Sequence, residues 1–512
     1  MGEPRGKVYL IGAGPGDPKL ITVRGLEAIR RADVIVYDRL SSPRLLKEAK
    51  PGAELVYVGK KQNRHIMEQE MINQLLVDCA LAGKQVARLK GGDPTLFGRV
   101  GEEAEKLVQH GIDYDIIPGV TSALSVPAYA GIPVTHRDYA SSLAIVTGHE
   151  NPDKLEMNVH WDMITPATDT LIFLMGVTKI AYIRDQLIAN GKPPETPVAL
   201  IRWGTRINQQ TVIGTLADIA EKVQELNFKP PAVIIVGEVV KLREKLNWYE
   251  KKPLFGRRVL VTRARSQASE LSARIDELGG EAYEFPTIEL CEPSSPEALE
   301  RLDRALGELA GYDWAIFTSV NGVEYFFKRL ALLRIDIRQM ARAKVAAVGP
   351  ATAEALLSRG IVAEVLPASF YQAEGLLEAI EHDLAAGQRA LLPRGDLARA
   401  YLADELEKRG VQVTDVDVYE NRIAAADTEE LIRMLERGEV HIATFTSSST
   451  VNHLCDLIGR ESDRQPADLL QGVAIACIGH KTAEAARSRG LEVHKLAAEA
   501  TIPSLIEAII GD

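Results

Sequence analysis

The sequence predicts an α/β protein in two successive halves, on three observations. First, short apolar runs such as VYLIG, DVIVYD, ELVYVG and QVARLKGGD alternate with longer segments of helical period such as LEAIRRA and MINQLLVDCALAGK. That is the wiring of a largely parallel sheet covered by helices. Second, the rhythm continues through LAIVTGH, TLIFLMG, TPVALIRWGT and PAVIIVGEVV, breaks at the polar KLREKLNWYEKKPLFGRR (241–258), and restarts with RVLVTRA at 258. A linker is expected at 248–255. Third, the second half repeats itself. AIFTSVNGVEYF (315–326) is followed by AVGPATAEALLSRG (347–360), and ATFTSSSTVNHL (443–454) by CIGHKTAEAARSRG (477–490). The order strand, FTS loop, helix, strand, G-x-x-T loop, helix thus occurs twice and implies two similar lobes.

At 512 residues the chain exceeds what one core sustains. A net charge of −11 argues against nucleic acid or an anionic membrane as a partner, yet leaves room for a local basic pocket holding an anionic small molecule. Cys79, Cys291, Cys455 and Cys477 form neither a C-x-x-C pair nor a metal spacing, so they read as isolated thiols of a reducing cytoplasm. No signal-like core and no run near the ~18 apolar residues of a membrane span is seen. The expectation is a cytoplasmic protein without a metal.

In open parallel sheets, ligands bind at the carboxyl ends of strands. The loops expected there are GAGPGD (12–17), YDRL (37–40), GK (59–60), LKGGDPTLFGRVGEE (89–103), PGVTSA (118–123), THRD (135–138), TGH (147–149), MG (175–176) and RWGT (202–205). The first is not a dinucleotide fingerprint, because Asp17 stands where G-x-G-x-x-G needs its third glycine. Gly91 and Gly92 leave backbone amides bare, and Asp93 can accept from a ligand amine or ribose hydroxyl. Thr121 and Ser122 offer hydroxyls at a helix start, where N-capping is the plainer role. Arg39, Arg99, Arg137 and His149 place four basic groups on one rim, which suits a substrate with several carboxylates. Asp38 and Lys60 can serve proton transfer or form an exposed ion pair.

These motifs together, VYLIGAGPGDPKLITVRGLEAIRRADVIVYDRL, RLKGGDPTLFGR, PGVTSALSVPAYAGIPVTHRD, VTGH and IIVGEVV, resemble the uroporphyrinogen-III C-methyltransferases of the tetrapyrrole methyltransferase family, over 6–247. The resemblance implies two lobes, about 1–134 and 135–247, with S-adenosylmethionine in the cleft between them, S-adenosylhomocysteine as product, and a homodimer formed through this half. It puts the cofactor positions on Pro15, Gly91, Gly92, Asp93, Leu96, Thr121, Ser122, Met175 and Gly204. Asp38 and Lys60 become the proton-transfer pair, Arg99 a catalytic group, and Arg39, Glu102, Arg137 and His149 substrate-binding groups. Two departures stand out: Val100 where the family usually has a second glycine, and the segment 60–70. The implied reaction moves two methyl groups onto uroporphyrinogen III, giving precorrin-2.

The second half shows no metal cluster, phosphate loop or nucleophile elbow. Ser319, Ser447, Ser448, Thr318, Thr446 and Thr482 read first as helix caps. Spacing alone leaves a two-lobed binding protein or a cofactor-free enzyme. The strings RVLVTRARSQASELSARIDELGGEAYEFPTIEL, WAIFTSVNGVEYF, AVGPATAEALLSRG, ALLPRGD, VYENR and FTSSSTV resemble uroporphyrinogen-III synthase over 256–512. That resemblance implies one lobe from 256–287 plus 421–512 and another from 290–418, and dehydrative cyclisation of hydroxymethylbilane with inversion of ring D, without a cofactor. The family's tyrosine falls on Tyr419, for which a packed ring ending a strand is the alternative. Thr318, Ser319, Arg394, Gly395, Thr446, Ser447, Gly479 and Thr482 would line the pocket. The expectation is a bifunctional enzyme of tetrapyrrole synthesis. The alternative is a methyltransferase of another precorrin with a non-catalytic C-terminal binding module.

Overall fold

The computed structural model describes residues 6–59, 68–148, 159–263, 269–368, 370–423 and 427–511. The chain forms two compact units, Met1–Arg258 with Ile275–Glu281, and Val259–Arg274 with Ala282–Asp512. Both are α/β, as the alternating pattern predicts.

The first unit contains two five-stranded sheets. In the first, β1 (Lys7–Gly12), β2 (Val34–Tyr37), β3 (Glu54–Tyr57), β4 (Val86–Lys90) and β5 (Asp113–Ile117) lie in the order 3-2-4-1-5, all parallel. Alternation along β1 feeds two cores. Val8 and Leu10 join the helices Gln69–Leu81 and Val100–Gln109 on one face, and Ile11 joins the helix Val23–Arg31 on the other. Each such fully buried aliphatic side chain contributes roughly 1.5–3 kcal/mol.

The second sheet holds β6 (Leu143–Thr147), β7 (Thr170–Leu174), β8 (Pro197–Arg202), β9 (Gln210–Thr215) and β10 (Ala232–Val236), in the order 6-7-10-8-9. Only β6 and β7 run parallel; β10 is antiparallel to both its neighbours. One face of this sheet packs Ile172, Ile201 and Ile235 against Ala123 and Val126 of the helix Ser122–Tyr129. That helix follows β5, so it ties the two sheets together and brings their strand-end loops side by side.

Residues 248–255 are packed against this unit. The Trp248 indole N–H donates to the Ala128 carbonyl at 3.0 Å, and Tyr249, buried, meets Tyr129 edge-on at 4.8 Å between ring centres. The charges that mark this stretch in the sequence hide its aromatic anchors, Trp248, Tyr249 and Phe255.

The second unit also has two sheets. One runs in the order β12 (Glu281–Glu284), β11 (Arg258–Val261), β18 (Ile442–Phe445), β19 (Ala474–Cys477), β20 (Val493–Leu496). The other is β13 (Ile288–Cys291), β17 (Gln412–Ile423), β16 (Arg389–Gly395), β14 (Trp314–Phe317), β15 (Lys344–Ala347), with β13 antiparallel at the edge. The internal repeat is a structural one. In one sheet β14 leads into the helix Val320–Leu333 and β15 into Pro350–Leu357; in the other β18 leads into Ser448–Glu461 and β19 into His480–Ser488.

Among the described residues, no helix is long and apolar enough to cross a membrane. The cysteines are free thiols, and burial pushes Cys455 and Cys477 up to about 11.

Candidate active sites

In the first unit the strand-end loops interlock through glycine. Gly14 and Gly92 exchange backbone hydrogen bonds of 2.7 and 3.2 Å, joining GAGPGD to GGD. A Cβ on Gly119 would lie 2.4 Å from the Gly92 carbonyl oxygen, and one on Gly12 only 2.5 Å from the Gly119 Cα. Three loops therefore meet at a spacing that only glycine allows. Pro15, half-buried, sits between Gly14 and Gly16 beside this junction.

Asp93 faces inward. Its Oδ1 accepts from the Thr95 amide at 2.7 Å and from the Thr95 hydroxyl, and its Oδ2 accepts from the Gly119 amide at 2.9 Å. Burial works to raise its pKa, but the hydrogen bonds from Thr95 and Gly119 outweigh it and hold the carboxyl below its ordinary value. Asp93 thus clasps two loops. Asp93→Asn is expected to lower the stability of this unit by about 1–3 kcal/mol at neutral pH. Because the folded group holds its proton less tightly than the unfolded one, that stabilisation is present above the ordinary value of 3.8 and fades as pH falls further. Denaturant unfolding at pH 7 and pH 3 checks this; a difference that persists undiminished at pH 3 counts against it.

Thr121 caps the helix Ser122–Tyr129 by accepting from the Ala123 amide at 3.3 Å, and Ser122 is its first residue. Gly204 is pressed against that helix, where a Cβ would come within 2.4 Å of Val126. Leu96 reaches from the GGDP loop onto the apolar cluster of the second sheet, and Met175, at the end of β7, is 47% exposed. Strain gathers on these loops. Phe97, Arg99, Met175, Trp203 and Thr205 all hold φ between 49° and 70° without being glycine. Such conformations cost of order 1–3 kcal/mol each and persist where function or packing over-determines them.

Asp38 lies at the end of β2. Its Oδ1 accepts from the Leu40 amide at 2.9 Å, and its Oδ2 stands 3.6 Å from the Arg88 guanidinium. Beneath it lies a buried charge network not singled out from the sequence. Glu103, fully buried, takes Lys90 at 2.7 Å, Arg88 at 3.3 Å and the Gln69 amide at 3.2 Å on one carboxylate oxygen; its other oxygen has no hydrogen-bond partner. Burial, and then the neighbouring Arg88, lower the pKa of Lys90. The signal for this network was present in the sequence, as two cations at alternate positions of a strand otherwise bound for the interior.

Arg39 is exposed, 5.5 Å from the Trp203 ring centre, and Arg137 is exposed on the tight turn of THRD. Arg99 and Glu102 are directed at each other, with bonds of 2.8 and 2.6 Å. Lys60 and His149 lie outside the described residues.

In the second unit the FTS hydroxyls are caps. Ser319 accepts from the Gly322 amide at 3.0 Å and Ser447 from the Thr450 amide at 3.3 Å. Thr318 and Thr446 precede them, half-buried, and Thr482 is buried in the first turn of its helix. Arg394, 8% exposed, donates to Asp415 in a two-pronged pair and to the Arg399 carbonyl at 2.5 Å. Its guanidinium is directed into the fold. The ring of Tyr419 is buried in the core, 5.5 Å from Tyr325, and a Cβ on Gly395 would lie 2.5 Å from its Cζ. Nearby Asp417 is half-buried; burial and then Asp415 raise its pKa, with Arg301 3.9 Å away.

Two family models match the chain: Tetrapyrrole (Corrin/Porphyrin) Methylases over residues 7–220, and Uroporphyrinogen-III synthase HemD over residues 269–507. The chain is similar to the Porphyrin biosynthesis protein HemD of Ruminiclostridium josui, 37% identical over 505 residues that cover 99% of this chain and 98% of that protein. Its first half is similar to the uroporphyrinogen-III C-methyltransferase of Priestia megaterium, 54% identical over 235 residues, 46% of this chain and 98% of that one. A solved structure of uroporphyrin-III C-methyl transferase from Thermus thermophilus, complexed with S-adenyl homocysteine, is 39% identical with a TM-score of 0.40, covering 46% of this chain and 100% of its own.

Proposed function

Because the chain belongs to the uroporphyrinogen-III C-methyltransferase family in its first half and to the uroporphyrinogen-III synthase family in its second, we propose that it catalyses two consecutive steps of tetrapyrrole synthesis. The second half, 256–512, closes hydroxymethylbilane to uroporphyrinogen III with loss of water and inversion of ring D. The first half, 1–247, methylates that product twice to precorrin-2. The observation that carries the reading is the meeting of GAGPGD, GGDP and PGVTSA at the Gly14–Gly92 junction, in a half that is 54% identical to a methyltransferase of this specificity.

The residues suit the chemistry. S-adenosylmethionine, when bound, supplies an electrophilic methyl on sulfonium. Gly14, Gly91 and Gly92 keep side chains clear of the junction, and Met175 is exposed at the end of β7. Alignment of donor and acceptor supplies most of the rate in such a displacement. Asp38, with Lys60, takes up the proton that the macrocycle must release elsewhere once a fully substituted pyrrole carbon has accepted a methyl. Arg39, Arg99, Glu102, Arg137 and His149 bind or orient the acid side chains of the acceptor. In the second half the FTS loops line the substrate pocket, without a cofactor. The chain works as a homodimer through its first half, which light scattering tests.

Purified chain given uroporphyrinogen III and S-adenosylmethionine should yield a product carrying two added methyl groups. Recovery of unmethylated substrate would refute the assignment of the first half.

A further inference from the structure

Arg206 follows the RWGT turn at the end of β8, and no sequence motif includes it. Its guanidinium meets three loops. Nη2 donates to the Leu40 carbonyl at 2.9 Å, closing the YDRL loop from behind. The guanidinium carbon lies 4.9 Å from the centre of the Trp203 ring, the ring that Arg39 approaches to 5.5 Å. A Cβ on Gly16 would sit 2.8 Å from the Arg206 Cγ and 2.7 Å from its Nε, so the stem of the side chain packs against GAGPGD. Nε is buried there without a hydrogen-bond partner.

Leu40 is placed tightly in turn: a Cβ on Gly91 would come within 2.5 Å of the Leu40 Cβ. The loop that carries Asp38 and Arg39 is thus held at its far end by one hydrogen bond from a cation. Arg39 itself has no carboxylate within ion-pair distance among the described residues, so its charge is open to an anion from solution. A charged donor to a carbonyl is among the stronger hydrogen bonds.

We propose that Arg206 is a positioning residue: it fixes the Asp38–Leu40 loop on the Trp203 platform, and so presents Arg39 to a carboxylate of the tetrapyrrole acceptor. This rests on the reading of the first half as a uroporphyrinogen-III methyltransferase. The donor-side loops are held by other bonds, Gly14 to Gly92 and the Asp17 amide to the Thr205 hydroxyl at 3.0 Å. Loss of the guanidinium therefore acts on the acceptor side.

The test is the full-length Arg206→Met variant, which keeps a methylene stem against Gly16 and deletes the hydrogen bond and the charge. KM for uroporphyrinogen III should rise about tenfold, while KM for S-adenosylmethionine moves by less than about twofold. Arg206→Lys, which retains a donor for the Leu40 carbonyl, should recover most of that loss. Arg206→Met added to Arg39→Met should worsen the single Arg39 variant by less than about twofold, because the two act through one contact. Equal rises in both KM values, no rescue by lysine, or additive effects of the two arginine variants would each overturn the role. If Arg206→Met does not fold, Trp203→Leu should raise the same KM, and an unchanged KM there overturns it. Absence of methylation by the unaltered chain overturns this inference together with the reading beneath it; methylation with a flat Arg206→Met profile overturns the inference alone.

Discussion

Glu103→Gln is expected to destabilise the first unit by about 3–5 kcal/mol, the range for breaking a buried ion pair from one side. The substitution keeps the shape of the side chain and removes the only carboxylate within ion-pair distance of Lys90 among the described residues. Arg88 and Lys90 are 4% and 5% exposed, so their charges would remain where water cannot compensate them. Arg88 retains Asp38 at 3.6 Å, which limits its share of the loss. Lys90 adds a pH signature. Its folded pKa already lies below its ordinary 10.5 because of burial and then of Arg88, and Glu103 works in the opposite direction. Removing Glu103 lowers it further. The unfolded chain then binds more protons than the folded one over a wider window below 10.5, so stability rises with pH across it. The deficit of the variant should therefore shrink on going from neutral to alkaline conditions. Calorimetry of the full chain reads this as a downward shift of the transition belonging to the first unit, by roughly 10 °C for a body of this size. A loss below about 1 kcal/mol, or a deficit that grows with pH, would mean that the network is not held together by charge.

Asp38→Asn should lower the methyl-transfer rate by about 10²–10⁴-fold, the usual worth of a positioned proton acceptor. The amide oxygen of asparagine can still accept from the Leu40 amide, so the loop geometry is preserved. The substitution leaves the glycine junction untouched, and affinity for S-adenosylhomocysteine, measured by titration calorimetry, should be unchanged. Single-turnover methylation of uroporphyrinogen III separates the chemical step from product release. A rate within threefold of the unaltered chain would move the proton elsewhere and leave Asp38 as a loop clasp.

The parts of the site legible in the sequence are those that depend on backbone geometry. Gly12 and Gly119 are needed because loops touch there at distances that exclude a Cβ, and Gly92 because its φ of +73° disfavours one. Their spacing after apolar runs marks the carboxyl ends of strands before any fold is known. The repeated FTS and G-x-x-T segments were equally legible, since Ser319 and Ser447 cap their helices in equivalent places. Side-chain direction was not legible. Asp93 and Arg394 belong to motifs that suggest ligand contact, and each also satisfies a partner inside the protein. That choice depends on which backbone amide or carboxylate the fold brings near, such as Gly119, 26 residues from Asp93, or Asp415, 21 from Arg394. The Glu103 network was missed for the same reason. Its members are 13 and 15 residues apart, on β4 and the helix after it; Arg88 and Lys90 on an interior strand call for a buried carboxylate, but nothing in one dimension says that it is Glu103. Arg206 was hidden by its position just beyond a recognisable turn. The polar character of 241–258 marked a boundary while concealing that Trp248 and Tyr249 pack on Tyr129.

The central claim is that one chain forms uroporphyrinogen III and then methylates it. Incubating the full chain with hydroxymethylbilane and S-adenosylmethionine, and following both the isomer formed and the number of methyl groups gained, tests it most directly. The expected product is the type III skeleton with two methyl groups. Accumulation of the type I isomer without methylation, the outcome of spontaneous closure, would contradict the account.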